Sequence, residues 1–223
     1  MPSRRASKKR AGKTNRSSAS ATTASIPDRP HLVIIAGPNG SGKSSFSQSA
    51  VIEEFGRTVW IIDPDLLARR IRAFEALGMN AANLEAVKRI ESWLKISVKA
   101  HQTVGVETVL STPKYRKLVR AAKKRGFKIA LIYVLLNSPA LHVARVQMRV
   151  EKGGHGVPKN KILSRRTRSL AQLPWFLQAA DEAWLYDNSG ASPRLNGVKR
   201  DGMIVLDRDA LPEFQDVVGY DPE

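Results

Sequence analysis

The chain has 223 residues, enough for one domain with a substantial buried core, and its longest apolar run, at residues 129–136, is far shorter than the roughly 20 residues of a membrane helix. It contains no cysteine, which excludes disulfide bonds and thiol chemistry and favours a cytoplasmic location. Its formal net charge is +17, and such an excess raises the question of nucleic-acid binding.

The first 30 residues read as a basic tail. They hold eight basic residues, one acid, many Ser, Thr and Ala, and almost no large apolar side chain. A segment of this composition cannot bury enough apolar surface to fold. We therefore expect a disordered tail at residues 1–30 and one folded domain at residues 31–223. The tail could attract nucleic acid nonspecifically, although a solvated tail is the simpler interpretation.

Apolar strands alternate with helical stretches from residue 31 onward. The predicted strands lie at residues 31–36, 58–63, 103–110, 128–136, 182–187 and 202–206. The predicted helices lie at residues 43–54, 65–77, 82–101, 115–125, 139–151 and 159–179. This alternation predicts an α/β fold with a mostly parallel sheet and helices on both faces. Ligands of such sheets bind at the carboxyl ends of the strands.

The clearest motif is a glycine-rich turn between the first strand and the first helix. Residues 37–44 read GPNGSGKS and match G-x-x-x-x-G-K-[ST] in full, which predicts a P-loop NTPase or kinase fold. Such a loop holds phosphates with its backbone N–H groups and its lysine, and its serine hydroxyl binds Mg²⁺. The predicted nucleotide-binding residues are Gly37, Pro38, Asn39, Gly40, Ser41, Gly42, Lys43, Ser44 and Ser45, with Ser44 as the Mg²⁺ ligand. No N-K-x-D-like segment for guanine is found, so ATP is the predicted donor.

Acidic side chains follow the next two predicted strands. Asp63 and Asp65 stand in WIIDPDLLARR, and Glu107 stands in VETVLS with the hydroxyls of Thr108 and Ser111. A carboxylate at this edge can orient an acceptor hydroxyl and take its proton. Alternatively, Asp65 caps the following helix, or Glu107 is a surface acid at a sheet edge. The segments alone leave both pairs of alternatives open. The strand of Glu107 is, however, expected beside the phosphate-loop strand, which favours Glu107 as a ligand for the substrate or for a Mg²⁺ water.

A basic region follows the fourth predicted strand. Arg145, Arg149 and Lys152 share one face of a helix, and GGHGVPKNKILSRRTRSL adds a glycine-rich segment and a basic helix. Such a region can close over ATP as a lid and bring arginine to the transferring phosphoryl group. The alternative is a solvated basic helix face.

Taken in order, these segments make the sequence similar to the zeta toxin family of P-loop kinases between residues 31 and 189. The similarity rests on AGPNGSGKSSF, DPDLLA, VETVLS, ARVQMRVEKGGHGVPKNKILSRRTRSL and LYDNS. It implies an ATP- and Mg²⁺-dependent kinase that phosphorylates the 3′-hydroxyl of the amino sugar in UDP-N-acetylglucosamine, and it implies a small antitoxin partner.

The resemblance also implies roles for individual residues. Lys43 would bind phosphate and Asp65 would be the base that activates the sugar hydroxyl. The lid residues expected to contact phosphate are Arg149, Arg165 and Arg168. The residues expected on the acceptor side are Asp63, Glu107, Thr108, Ser111 and His155.

Three positions depart from the family pattern. Val109 replaces a hydroxyl residue, Asp63 replaces an asparagine before the base, and Arg166 replaces an aromatic residue of the lid helix. All three departures bear on the acceptor and none on ATP binding. The first two motivate a second hypothesis, a kinase of another small metabolite or nucleotide. A third hypothesis, a nucleic-acid-associated ATPase, rests on the net charge.

Overall fold

Seven strands form one sheet in the computed structural model, which describes residues 29–44, 59, 61–154 and 156–219. The strands are β1 (His31–Ala36), β2 (Ile61–Ile62), β3 (Val104–Thr108), β4 (Lys128–Leu135), β5 (Glu182–Asp187), β6 (Arg194–Arg200) and β7 (Met203–Leu206). Their order is β2-β3-β1-β4-β5-β6-β7. Pairing is parallel from β2 to β5, and β6 and β7 continue the sheet antiparallel. The predicted mostly parallel α/β sheet is confirmed.

Six complete helices lie within the described ranges. They are α1 (Pro64–Glu75), α2 (Met79–Lys99), α3 (Arg116–Lys124), α4 (Pro139–Glu151), α5 (Lys159–Ala179) and α6 (Pro212–Val218). A 3₁₀ turn, Pro113–Tyr115, leads into α3. A further helix begins at Lys43 and is described only to Ser44, so most of the predicted helix 43–54 lies outside the described residues. Each of the six helices is too short or too polar to span a membrane.

The predicted boundaries agree fully for two of the helices. Helices α4 and α5 have the predicted limits, and Ser138 caps α4 by accepting a hydrogen bond from the Leu141 N–H. The predicted strand 58–63 was too long: only Ile61–Ile62 pairs in the sheet within the described ranges. Two elements were not predicted, β6 and α6. Strand β6 was missed because its sequence, RLNGVKR, lacks regular apolar alternation, and α6 was missed because it has only seven residues.

The central strand β1 is buried on both sides. Its residues from Leu32 to Ala36 have no solvent exposure. Because successive side chains of a strand point to opposite faces, Leu32 and Ile34 join a large cluster with α2, α3, α5 and α6. Val33 and Ile35 join a second cluster with β4 and β5 on the other face. This burial explains the continuous apolar run of β1 and fixes the position of its carboxyl end.

The strand register brings the candidate functional segments to one edge. Ala36, the last residue of β1, pairs with Thr108 of β3 and with Tyr133 of β4. Leu135 of β4 pairs with Asp187, the last residue of β5. The glycine-rich loop, the segment after β3 and the segment after β5 therefore leave the sheet at the same edge.

Candidate active site

The glycine-rich loop has a backbone that favours glycine at three positions. The φ angles of Gly37, Gly40 and Gly42 are 145°, 80° and 90°. A Cβ on Gly37 would lie 2.1 Å from the Val134 carbonyl oxygen, and one on Gly40 would lie 2.5 Å from the His142 carbonyl oxygen. The loop is thus packed closely against β4 and α4.

Gly40→Ala is expected to destabilise the fold and weaken nucleotide binding more than Gly126→Ala. Both glycines have nearly the same φ, 80° and 82°, so alanine at either position introduces a similar backbone strain of about 1–2 kcal/mol. Only the Gly40 Cβ also overlaps with another backbone atom, because nothing lies within 4 Å of the Gly126 position. Thermal unfolding and titration with a fluorescent ATP analogue measure the two effects. We expect a loss of affinity of about tenfold or more for Gly40→Ala alone. Equal effects of the two variants would contradict the packing of α4 on the loop.

His142 connects α4 to the loop. Its side chain has no solvent exposure, and its Nδ1 lies 2.9 Å from the Asn39 carbonyl oxygen. Because a carbonyl oxygen only accepts, Nδ1 carries the proton and donates it. Burial lowers the pKa of His142 to about 4, so the ring is neutral at neutral pH. His142 therefore holds the loop through a neutral, buried hydrogen bond.

Acidification is expected to destabilise the fold through His142. The folded pKa of about 4 lies below the ordinary value of 6.5, so between these values the unfolded chain binds a proton that the folded chain does not. The contribution of His142 to stability is therefore complete above about pH 6.5 and is lost as the pH falls towards 4. It amounts to about 3 kcal/mol. Urea unfolding across this pH range should show a shallower pH dependence for His142→Asn than for the wild type. Parallel curves would contradict a buried neutral histidine.

Lys43, Ser44 and Glu107 meet where the loop becomes a helix. The Lys43 ammonium donates to the Pro38 carbonyl oxygen at 3.0 Å, and the Ser44 hydroxyl donates to Glu107 Oε1 at 3.0 Å. Burial lowers the pKa of Lys43, while the charges of Glu107 and Asp65 oppose this shift. Burial likewise raises the pKa of Glu107 against the opposing charge of Lys43. The two buried groups thus stabilise each other's charged forms.

These residues fit a nucleotide phosphate with Mg²⁺. Glu107 Oε2 is buried and has no hydrogen-bond partner in the described part of the chain. A carboxylate oxygen beside a serine hydroxyl supplies the hard oxygen ligands that Mg²⁺ prefers. No group of three or more acidic, histidine or cysteine side chains that could hold a metal ion forms in the described ranges.

Asp63 and Asp65 have different environments. One oxygen of Asp63 accepts hydrogen bonds from the N–H groups of Asp65, at 2.8 Å, and Leu66, at 3.3 Å, so Asp63 is the N-cap of α1. The alternative in which Asp65 caps the helix is therefore wrong. Asp65 is exposed in the first turn of α1, and its charge reaches Lys43 and Glu107. The edge of the sheet thus presents the Asp65 carboxylate beside the loop.

The segment after β3 is held by neutral hydrogen bonds. Thr108 Oγ1 accepts from the N–H of Leu110, whose φ is positive. The Ser169 hydroxyl of α5 donates to the Val109 carbonyl oxygen at 2.7 Å and pairs with the Tyr133 hydroxyl at 2.8 Å. Beyond this turn Ser111 is half-buried. Helix α5 therefore positions the segment that carries Glu107.

The basic region divides into residues at the loop and residues elsewhere. Arg165 donates to the Asn39 side-chain oxygen at 3.5 Å, and the charge of Arg149 acts on Lys43. Arg168 is exposed and donates to the Ser164 carbonyl oxygen of its own helix. Arg168 donates no hydrogen bond to the loop in the described ranges, and its phosphate contact stays a prediction. The predicted His155 and Ser45 lie outside the described residues.

Arg166, which stands where the family pattern has an aromatic residue, connects two helices. Its side chain is buried and forms an ion pair with Glu213 of α6. A buried charge requires such a partner, because an unpaired one costs several kcal/mol. Arg166 therefore joins α5 to α6 and does not belong with the arginines at the loop.

Two residues at this edge were missed in the sequence, His142 and Asn188. The side-chain N–H of Asn188 donates to the Ser41 carbonyl oxygen at 2.8 Å. Arg145, which the sequence placed on the basic face of the predicted lid, donates to the Ser189 carbonyl oxygen at 3.3 Å. Asn188 directly follows β5. Asn188 thus shows the same pattern as Asp63 and Glu107, a polar residue at the carboxyl end of a strand, and this pattern is the signal in the sequence that indicates it.

The chain combines a mostly parallel sheet, a phosphate-binding loop after β1, a buried lysine and a buried glutamate at that loop, and two basic helices beside it. These features define a P-loop kinase. A model of the zeta toxin family matches residues 15–209. The chain belongs to the zeta toxin family.

One sequence relative and two solved structures resemble this chain. An uncharacterised protein of Haemophilus influenzae is 29% identical over 131 residues, which are 57% of this chain and 86% of that protein. The crystal structure of AvrRxo1-ORF1:-ORF2 with ATP superposes with a TM-score of 0.64 at 13% identity, over 85% of this chain and 63% of that chain. The PezAT toxin-antitoxin structure of Streptococcus pneumoniae gives a TM-score of 0.53 at 17% identity, over 74% of this chain and 71% of that chain. The chain thus spans less than two thirds of the AvrRxo1 chain, and at these identities the structures show the shared fold.

Proposed function

We propose that this P-loop kinase transfers the γ-phosphate of ATP to the 3′-hydroxyl of the amino sugar of UDP-N-acetylglucosamine. The observation that carries the proposal is the exposed Asp65 carboxylate at the loop, within electrostatic reach of Lys43 and Glu107. A carboxylate there can accept the proton of an acceptor hydroxyl. Membership of the zeta toxin family supports a UDP-sugar as the molecule that bears this hydroxyl.

In the proposed reaction, the loop and Lys43 would hold the phosphates, and Ser44 and Glu107 would hold Mg²⁺. Bound Mg²⁺ supplies charge neutralisation to the phosphates. Asp65 orients the acceptor hydroxyl and takes its proton as the oxygen bonds to the γ-phosphorus. The bond from that phosphorus to the β,γ-bridging oxygen breaks, and ADP leaves with the electron pair. Arg149 and Arg165 stabilise the charge that spreads over the transferring group.

Four further residues are proposed to bind the acceptor. Thr108, Ser111 and Asp63 lie on the segments that border Glu107 and Asp65, and we assign them to the acceptor pocket together with His155.

We also propose a small antitoxin protein as a partner. The PezAT system, which shares the fold, is described as a toxin-antitoxin pair. Growth arrest on expression of the chain, relieved by a co-expressed partner, is the expected observation.

An ADP-release assay with a panel of acceptors tests the acceptor. We expect turnover that depends on UDP-N-acetylglucosamine and is much weaker with UDP-glucose, which lacks the acetamido group, or with UMP, which lacks the amino sugar and one phosphate. Turnover with another metabolite or nucleotide alone would support the second hypothesis, to which Val109 points. ATP hydrolysis that requires RNA, and falls steeply with added salt, would support the third hypothesis.

A further inference from the structure

A second concave surface lies between α2 and α3, away from the phosphate loop. It is a groove of about 930 Å³ between the end of α2, the Pro113–Tyr115 turn and α3. None of the residues that we place at the loop lines it. Its floor is apolar and comes mainly from Leu94, Val98, Leu118 and Ala121. The proposed kinase reaction makes no use of this groove.

The rim of the groove is strongly basic. Its cations besides Lys114 are Lys95, Lys99, Arg116, Lys117, Arg120 and Arg125. The one acid in the lining, Glu91, pairs with Lys114 at 3.5 Å. In the described part of the chain, Lys114 is the only rim cation that forms an ion pair. A cluster of like charges repels itself, so the rim favours an anionic occupant.

Two of the rim arginines are held in place. The guanidinium groups of Arg116 and Arg120 lie 5.0 and 5.3 Å from the ring centre of Trp175 on α5. Arg116 also donates to the Gln172 side-chain oxygen at 2.8 Å. Side chains fixed in this way lose less conformational freedom when an anion binds them.

The combination of an apolar floor and a basic rim selects the kind of occupant. Single-stranded nucleic acid needs exposed aromatic faces for its bases, whereas Tyr115 is buried and Trp175 is contacted by the two arginines. An amphipathic helix instead places apolar side chains in a groove and charged ones at its edges. Along α2 the lining runs from Glu91 to Lys99, about 12 Å, which matches about two turns of a bound helix.

We propose that the groove between α2 and α3 binds an acidic amphipathic helix of a partner protein. Leucine-like side chains spaced three and four residues apart would contact Leu118 and Ala121, and carboxylates on both sides of them would face the basic rim.

The test uses a fluorescein-labelled helical peptide of about 16 residues, with leucines on one face and glutamates elsewhere. A second peptide has the same composition in an order that spreads the leucines around the helix. Fluorescence anisotropy at physiological ionic strength measures binding to the full chain. We expect the first peptide to bind more tightly than the second, and more tightly than single-stranded RNA of similar charge.

Charge-reversed variants locate the binding. Lys95→Glu, Lys99→Glu and Lys117→Glu combined should weaken binding by about tenfold or more, because all three side chains are exposed on the rim. The matched control combines Arg70→Glu, Lys124→Glu and Arg208→Glu, which change the net charge equally at exposed positions outside the groove. Circular dichroism verifies that both variants fold. Equal losses in both variants, equal binding of both peptides, or preferred binding of RNA would overturn the proposal.

Discussion

Asp65→Asn is expected to lower kcat by about 10²- to 10⁴-fold and to leave the affinity for ATP nearly unchanged. The amide keeps the size of the carboxylate but cannot take a proton from the acceptor hydroxyl. Asp65 is exposed, and Asp63 rather than Asp65 caps α1, so the substitution leaves the helix start intact. Steady-state ADP release with saturating UDP-N-acetylglucosamine measures kcat, and calorimetry measures ATP binding.

Asp63→Asn is the matched control, two residues away on the same segment. Asparagine caps helices as well as aspartate does, so the hydrogen bonds to the N–H groups of Asp65 and Leu66 should persist. Because Asp63 is assigned to the acceptor pocket and not to proton transfer, we expect this variant to keep most of its kcat and to change mainly the KM for the acceptor. A loss as large as that of Asp65→Asn would contradict the assignment of the base to Asp65.

Lys43→Met is expected to lower kcat by about 10³-fold or more. Methionine is unbranched like lysine, so the main change is the loss of a buried positive charge that donates to the Pro38 carbonyl oxygen. The pKa of Glu107 should rise further, because Lys43 is the main charge that opposes the effect of burial on Glu107. The Mg²⁺ concentration needed for half-maximal ATP binding should therefore increase.

Lys88→Met provides the control for Lys43→Met. It removes one positive charge from an exposed position on α2, outside the site. We expect unchanged kcat and unchanged Mg²⁺ dependence for this variant. Turnover of Lys43→Met at the rate of Lys88→Met would show that the loop lysine takes no part in phosphoryl transfer.

The parts of the site that follow directly from strand ends could be predicted from the sequence. The motif at residues 37–44 stands after an apolar strand, which identified the loop. Glu107 was predicted at the loop because β3 was expected beside β1, and the pairing of Ala36 with Thr108 confirms that neighbourhood. In both cases a local pattern and the parallel topology determine where the side chain lies.

The lid arginines could not be separated by the same reasoning. Arg165, Arg166 and Arg168 are close in sequence, but successive residues of a helix point about 100° apart. Which of them faces the loop depends on the rotation of α5, and that rotation is set by the packing of Leu173 and Phe176 in the core. As a result, Arg165 contacts the loop, Arg166 pairs with Glu213 and Arg168 faces solvent.

The role of His142 could not be predicted from the sequence for a similar reason. PALHVARV reads as an ordinary half-buried helix, and nothing local distinguishes a histidine that packs in the core from one that binds a loop. Only the close approach of α4 to Gly40 and Asn39 shows its role, and that approach is a property of the tertiary fold.

The most direct test of the account is the identity of the product. The wild type and Asp65→Asn are incubated with ATP, Mg²⁺ and UDP-N-acetylglucosamine, and the products are analysed by mass spectrometry and phosphorus NMR. With the wild type we expect a UDP-sugar that has gained one phosphoryl group at the 3′-oxygen of the amino sugar, and with the variant we expect this product to be nearly absent. ATP binding without any phosphorylated UDP-sugar, or equal product from both proteins, would contradict this expectation.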